Sequence, residues 1–174
     1  MKLLLPFFAI VFALQFNNAA ADINMVAACT HTANVYPYYR DELMYEEYGN
    51  LFAEDAVFTL KGNEVVGREK IVKALKIRGP KTVTRHISNV VSMEVISDTE
   101  IRGVSYLTLY SAPLKTQKRP YTNHDESGVS SIKQPKRIAG PKLVGEYHDT
   151  FEIDENGDCK IASRRVDVIF LMDE

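Results

Sequence analysis

Tryptophan is absent from this 174-residue sequence, and only two cysteines, Cys29 and Cys159, are present. The two signs of charge are nearly balanced, with 21 basic and 23 acidic residues and a formal net charge of −2. Proteins that bind nucleic acid usually carry a clear excess of lysine and arginine, so this balance argues against that class of partner. With 45% hydrophobic residues, the composition is that of one globular domain with a sizeable core.

Patterns for metal binding are also missing. A zinc site needs three or four cysteine, histidine or carboxylate ligands at short characteristic spacings. Here the cysteines are isolated and the histidines are scattered at positions 31, 86, 124 and 148. The sequence therefore predicts no metal site, and Ser105 lacks the flanking motif of a catalytic nucleophile.

An apolar run near the N-terminus has the features of a secretory signal. Residues 3–16 are too short to span a bilayer, Lys2 precedes them, and Ala19-Ala20-Ala21 fits a small-residue cleavage site. We predict a signal peptide at 1–21, a mature domain at 22–174, and export to the periplasm or the medium without a membrane anchor. An uncleaved anchor is the alternative.

In the oxidising compartments that exported proteins reach, the two cysteines have a simple interpretation, because disulfides persist there. A bond between Cys29 and Cys159 would close most of the mature chain and contribute about 4 kcal/mol. Two cysteines permit this pairing without requiring it. A lipoprotein signal at Cys29 is disfavoured by Asp22 and Asn24, which lie between the apolar run and that cysteine.

The period of the apolar residues changes along the chain from 3.6 to 2, which predicts helices first and strands second. Pro37 is expected to interrupt or restart the first helix. The predicted helices cover 23–35, 38–52 and 67–77, and the predicted strands cover 56–60, 82–96, 100–111, 143–153 and 159–170. This order is typical of an α+β fold in which a curved sheet packs against helices.

One stripe of the second predicted helix contains an unexpected acid. Its members recur at steps of three and four: Tyr38, Asp41, Tyr45, Tyr48 and Phe52. A carboxylate aimed into an aromatic core is costly unless it is paired or protonated, so Asp41 is a candidate site residue. The alternative is that Asp41 ends a helix and contacts solvent.

Strand alternation places His86 with polar neighbours. In the strand at 82–96 we expect one side to carry Val83, Ile87, Val91, Met93 and Val95. The other side is expected to carry Thr84, His86, Ser88 and Val90. In the strand at 143–153 the sides are predicted as Gly145, Tyr147, Asp149 and Phe151 against Glu146 and His148.

Residues 112–141 form a long segment with many lysines, arginines and prolines and almost no apolar periodicity. Segments of this kind in compact domains are either functional lids and binding loops or simply mobile. The composition favours a mobile loop.

Several motifs, taken in order, resemble the SnoaL-like family of the nuclear-transport-factor-2-like superfamily, the relatives of scytalone dehydratase. They are NLFAEDAVF at 50–58, GREKI at 67–71, TRH at 84–86 with Asn89, GEYHD at 145–149 and KIASR at 160–164. The resemblance covers residues 23–170 apart from the long loop. It implies a cone-shaped α+β barrel, with three N-terminal helices packed on a strongly curved, mostly antiparallel sheet. It also implies a homodimer formed through the outer sheet face.

The resemblance implies chemistry as well. Asp41 and His86 match the residues that line the pocket of the family's lyases and isomerases, which use neither metal nor organic cofactor. Those enzymes act on small, largely apolar cyclic or polyketide-like molecules. Other family members only bind ligands, so a non-catalytic binding domain is the alternative.

This sequence departs from scytalone dehydratase at several positions. Arg40 replaces a tyrosine before Asp41, Phe58 and Leu60 stand where a tyrosine would orient water, and Glu146 and His148 replace a serine and asparagine pair. These changes argue against that particular dehydration.

The predicted mechanism uses His86 as a general base that Asp41 orients, because histidine titrates in the useful range. Three tyrosines could donate to a developing negative charge: Tyr45, Tyr106 and Tyr147. Glu146 and His148 fit either a polar pocket wall or an exposed sheet surface. Asp149 is expected to form a salt bridge with Arg164 or Arg165.

Overall fold

The computed structural model describes residues 7–113 and 138–172, with side chains from residue 21 onward except that of Pro80. In chain order the elements are α1 (Phe7–Glu42), α2 (Tyr45–Asn50), β1 (Phe52–Leu60), β2 (Asn63–Val66), α3 (Arg68–Arg78), a 3-10 turn (Gly79–Lys81), β3 (Thr82–Ser97), β4 (Glu100–Pro113), β5 (Leu143–Ile153) and β6 (Cys159–Leu171). Most of the predicted loop at 112–141, and the start of the predicted signal peptide, lie outside the described residues.

The six described strands form one curved, unclosed sheet in the order β2-β1-β6-β5-β4-β3. All neighbouring pairs are antiparallel except β1 and β6, which run parallel. Helices pack on this sheet, so the predicted α+β class is confirmed. Short turns join β3 to β4 and β5 to β6, as antiparallel neighbours allow, whereas the long segment between Pro113 and Leu143 joins β4 to β5.

The helical prediction for the N-terminal half is wrong in two places. Pro37 lies inside α1, which continues to Glu42. The lost hydrogen bond at Pro37 is offset by burial in the core of Tyr36, which precedes it, and of Ala33, one helical turn earlier. The predicted helix at 38–52 is broken, because Leu43 adopts a φ of 57° and α2 starts only at Tyr45.

The end of α1 has the hydrogen bonds of a Schellman motif. The N–H of Met44 donates to the carbonyl of Tyr39 at 2.9 Å, and the N–H of Leu43 donates to that of Arg40 at 3.4 Å. Glycine usually occupies the left-handed position of this motif, whereas here it is Leu43. The left-handed conformation of Leu43 turns the chain two residues after Asp41, which leaves Asp41 in the last turn of α1.

A bulge in β3 changes which side chains point inward. The register between β3 and β4 shifts between Val90 and Ser92. His86 lies on the inward side, where it is buried. The prediction that Ile87 and Val91 share a side with Met93 and Val95 is wrong, since the first two are 56% and 50% exposed and the last two pack against the core. Even-numbered positions such as His86 point inward before the bulge, and odd-numbered positions such as Met93 point inward after it. Simple alternation along the strand does not anticipate this change.

The alternation predicted for β5 is confirmed, with buried residues at every second position. A disulfide joins Cys29 in α1 to Cys159 in β6, and Thr32 Oγ1 donates to the carbonyl of Cys159 at 2.9 Å. These contacts fix α1 across the inner face of the sheet. None of the helices in the described residues combines the length and apolarity needed to cross a membrane.

Candidate active site

Asp41 and His86 are joined inside the cone by a dense set of short hydrogen bonds. Asp41 is 3% exposed, and its Oδ2 accepts the backbone N–H of His86 at 2.7 Å. Its Oδ1 lies 2.6 Å from His86 Nδ1 and also accepts the hydroxyl of Thr84 at 2.7 Å. One carboxylate therefore holds both the main chain and the ring of His86.

This position is unfavourable for an acid without such partners. Asp41 sits at the C-terminal end of α1, where the helix dipole disfavours negative charge. Burial adds a further desolvation cost. Three hydrogen bonds to the carboxylate compensate for both effects, which explains how the acid is tolerated in the core.

The two groups are held in the protonation states that a general base requires. Burial alone would raise the pKa of Asp41, but hydrogen bonds and charge from His86 and a hydrogen bond from Thr84 outweigh it, so this pKa is lowered. Burial lowers the pKa of His86, and the charge of Arg40 lowers it further, against the opposing effect of Asp41. At neutral pH the site therefore holds a carboxylate and a neutral imidazole.

The carboxylate also decides the tautomer of His86. An ionised carboxylate only accepts hydrogen bonds, so the proton of the neutral ring must lie on Nδ1. Nε2 then carries the lone pair that can accept a proton from a substrate. Nη1 of Arg40 lies 3.3 Å from Nδ1. Because both groups are donors in this tautomer, their contact is electrostatic and not a hydrogen bond.

Arg40 extends the site toward a cavity. Its Nη1 also lies 3.5 Å from both Thr84 Oγ1 and Asp41 Oδ1, distances at the upper limit for a useful hydrogen bond or ion pair. The Arg40 side chain is 28% exposed. A cation with such long contacts retains donor capacity for a bound molecule.

The cavity next to Arg40 has a volume of about 120 Å³ and lies between α3, the β1–β2 hairpin, the end of α1 and the start of β3. Its lining is mainly apolar: Leu43, Tyr48, Phe58, Leu60, Val65, Ile71, Ala74 and Leu75, with Arg40, Arg78, Gly79, Thr82 and Thr84. His86 is not among these residues. The cavity therefore meets the Asp41–His86 pair through Arg40 and Thr84, which both contact it.

A second buried charge lies close to the pair. Arg164 donates from Nε and Nη2 to Asp149 at 2.7 and 2.6 Å, with both side chains essentially unexposed. Its guanidinium carbon lies 3.9 Å from the ring centre of Tyr36 and 4.2 Å from that of Tyr147. Within the described residues, Nη1 is buried without a hydrogen-bond partner. Arg164 also contributes to lowering the pKa of His86, so it belongs to the same electrostatic environment.

The other residues predicted for the pocket are distributed over three places. Tyr147 lies in the core against Arg164. Tyr45 lies in a separate surface concavity under Lys76. Tyr106 is 56% exposed and pairs across the strands with Glu146, whose carboxylate lies 2.9 Å from His148 Nε2 on the outer sheet face. The placement therefore does not bring Tyr45, Tyr106, Glu146 or His148 to the cavity.

Three polar residues around the pair were not predicted as site residues: Arg40, Thr84 and Arg164. Thr84 could have been found, because it is two positions from His86 on a strand and shares its face. Arg164 is inward only because β6 has a register shift opposite Thr150 and Phe151. In the described residues no group of three histidine, cysteine or carboxylate side chains is arranged to hold a metal ion.

Comparison with known proteins shows similarity in both sequence and fold. The model of the SnoaL-like domain family matches residues 21–165. No functionally curated protein matches the sequence.

Three solved structures illustrate the fold similarity. A candidate scytalone dehydratase from Novosphingobium aromaticivorans is 21% identical, with a TM-score of 0.69 over 90% of this chain and 91% of the other. A hexachlorocyclohexane dehydrochlorinase, LinA type 2, is 13% identical, with a TM-score of 0.67 over 88% and 91% of the two chains. The ActVI-ORFA protein of Streptomyces coelicolor is 16% identical, with a TM-score of 0.60 over 83% and 96%. At these identities the similarity establishes the fold alone.

Proposed function

Since the chain belongs to the SnoaL-like family, we propose that it is a cofactor-independent lyase or isomerase that acts on a small, largely apolar cyclic or polyketide-like molecule. The observation that carries this proposal is the 2.6 Å contact between Asp41 Oδ1 and His86 Nδ1. It orients a neutral imidazole in a buried site, which is the arrangement a general base needs.

In the elimination reaction, Nε2 of His86 takes a proton from a carbon of the substrate. The electrons of the broken C–H bond form a C=C bond, and the leaving group departs with its bonding pair as an anion. Arg40 lies beside the base and can stabilise this developing negative charge. In an isomerisation the same proton would return from His86 to another carbon.

Asp41 acts as a positioning residue in this scheme. Its carboxylate stabilises the imidazolium that forms when His86 accepts the proton, and it keeps the ring from rotating. A positioned base contributes typically about 10²–10⁴ to a rate. Loss of Asp41 should therefore remove most of the contribution of His86.

The alternative is a non-catalytic domain that binds a small ligand. One observation favours it, since the cavity lining reaches Arg40 and Thr84 but does not include His86. A cavity of about 120 Å³ is well below the lower limit of about 300 Å³ that is usual for drug-sized ligands. An engineered apolar cavity of about 150 Å³ binds benzene, so a ligand the size of a single ring is the appropriate expectation.

The test is turnover of two compounds named by structural neighbours, scytalone and hexachlorocyclohexane, together with smaller ring compounds that carry a β-leaving group. Loss of water would be followed by ultraviolet absorbance and loss of chloride by ion chromatography. His86→Ala and Asp41→Asn should abolish any turnover, whereas the exposed His31→Ala should not. Turnover at the wild-type rate in both site variants would remove these residues from the mechanism.

We also propose that the protein is exported. The Cys29–Cys159 disulfide supports this, because such bonds persist in oxidising compartments. Expression with the complete N-terminus should give a mature protein in the periplasm or medium that begins at Asp22. A full-length cytoplasmic product would contradict export.

The outer sheet face supports a homodimer as a further proposal. Ile87, Val91 and Tyr106 are each at least 50% exposed, and the β3–β4 register places Tyr106 opposite Asn89, between the positions of the other two. Exposed apolar clusters of this kind often mark protein interfaces. Sedimentation should show a dimer that Tyr106→Glu converts to a monomer, and a monomeric wild-type protein would contradict it.

A further inference from the structure

The cavity beside Arg40 is one part of a longer cleft. A second, larger concavity of about 410 Å³ lies next to it. The two share five lining residues: Phe58, Leu60, Val65, Ala74 and Arg78. Phe58 and Leu60 lie on one face of β1, Val65 pairs with Phe58, and Ala74 and Arg78 are one helical turn apart on α3. Both parts therefore lie in the cleft between the β1–β2 hairpin and α3.

The ends of this cleft differ in depth. The inner part ends at Arg40 and Thr84 beside the Asp41–His86 pair. The outer part ends at the hairpin turn, where Lys61 and Asn63 line it. The exposed Arg78 lines both parts and so stands where they join.

All charged residues that line the cleft in the described structure are cations. They are Arg40, Arg78 and Lys61, and neither part has an aspartate or glutamate in its described lining. The surface concavity on the other side of α3 differs, since Glu46 and Glu69 line it together with lysines. The walls between the cations are apolar, which suits a ligand with an apolar body and one negative group.

Two of the three cations have distinct surroundings. Arg40 lies 3.5 Å from the carboxylate of Asp41, so a permanent anion docked there would lie close to a second negative charge. In the described residues no carboxylate forms an ion pair with Arg78. A carboxylate on the ligand is therefore better placed at Arg78, whose fork of donors matches its geometry. Arg40 then remains available to stabilise the negative charge that develops on the leaving group during the reaction.

We propose that the cleft binds a ring-sized carboxylic acid, with its ring in the inner part and its carboxylate on Arg78, and that Lys61 attracts it at the entrance. This names the substrate class of the proposed activity and rests on that function for its biological meaning. The binding step itself does not need the base. Positive charge along an apolar cleft also raises the rate at which an anion enters.

The experiment compares two probes of nearly equal shape, cyclohexanecarboxylate and its neutral amide, by calorimetry. The wild-type protein should bind the carboxylate about tenfold more tightly than the amide, as expected when a neutral hydrogen bond becomes charge-assisted. Arg78→Gln should reduce this preference to near unity without changing binding of the amide. Added salt should weaken binding of the carboxylate only.

A matched control is Lys73→Gln, which removes one positive charge from the same helix but lines the concavity on its other side. It should retain the wild-type preference. Equal affinity for the two probes, an unchanged preference in Arg78→Gln, an equal loss in Lys73→Gln, or no binding of either probe at millimolar concentration would each overturn the proposal.

The same measurement on His86→Ala separates this inference from the proposed function. Binding of the carboxylate should be retained there, since His86 is not part of the cleft lining. If the preference for the carboxylate is absent while turnover of neutral compounds depends on His86, the substrate class is wrong and the lyase or isomerase proposal stands. If the carboxylate binds as predicted but no ring acid is turned over, the binding proposal stands and the lyase or isomerase proposal is wrong.

Discussion

Asp41 holds His86 twice, with one carboxylate oxygen on its backbone N–H and the other on its imidazole. The same contacts join the last turn of α1 to an inward-facing position on β3. The orientation of the base and the attachment of the helix to the sheet therefore depend on one side chain. Substitution of Asp41 is expected to affect activity and stability together.

The rate of turnover should decline in acid with a midpoint below the ordinary histidine pKa of about 6.5. Burial first, and Arg40 second, lower the pKa of His86. His86 acts as a base only when neutral, so kcat/KM should rise as pH passes through the lowered value and stay constant above it. A pH profile with its midpoint clearly above 6.5 would contradict this assignment.

Arg40→Gln should shift that profile. Removing the nearby guanidinium removes one cause of the lowered pKa of His86, so the acid limb should move to higher pH. The plateau should fall as well, because charge on the leaving group is no longer stabilised. If Arg40 only supported the fold, the plateau would fall without movement of the midpoint.

Asp41→Asn should make stability less dependent on pH. The folded-state pKa of Asp41 is lowered, so its contribution is fully present above the unfolded value near 3.9 and is lost as pH falls through the folded value. The variant should lose about 1–3 kcal/mol at pH 7, and less in strong acid. Urea unfolding across pH measures this difference, and parallel curves for the two proteins would refute it.

Arg164→Met should be far more damaging than Arg165→Met, although the two residues are neighbours. The first leaves Asp149 as a buried charge without its partner, a change that costs about 3–5 kcal/mol. The second removes an exposed pair with Asp167, which contributes little to stability because solvent and salt screen it. Replacing Arg164 and Asp149 together by apolar residues should recover part of the loss in chemical denaturation, and strict additivity would argue against a coupled pair.

Removing the disulfide should lower stability without changing the fold. Cys29 and Cys159 are 130 positions apart, and the entropy of closing such a loop corresponds to about 4–5 kcal/mol. The double serine variant and the reduced wild type should unfold at similar, lower denaturant concentrations. A reductant that destabilises the double variant as well would point to another cause.

Much of the site could be predicted because it follows regular geometry. Helical spacing singles out Asp41, even though α1 ends one residue later, at Glu42. His86 was placed with Thr84 because strand positions two apart share a face. The element order alone was enough to predict the α+β class.

The remaining features depend on irregularities that have no clear sequence signal. Leu43 takes a backbone conformation usually reserved for glycine, so the end of α1 could not be located. On β6, alternation from Cys159 and Ile161 would place Arg165 inward, whereas a register shift buries Arg164 instead. Such shifts are set by packing of the whole sheet, and a local pattern cannot reveal them.

The parallel pairing of β1 with β6 has a consequence for how the molecule assembles. The β3–β6 meander can form from consecutive segments, whereas β1 must wait for β6, which follows all the other described strands in the chain. Contacts between distant segments form slowly. We therefore expect the cleft lined by β1 and β2 to be completed only when β1 pairs with β6, so that folding intermediates would not bind substrate.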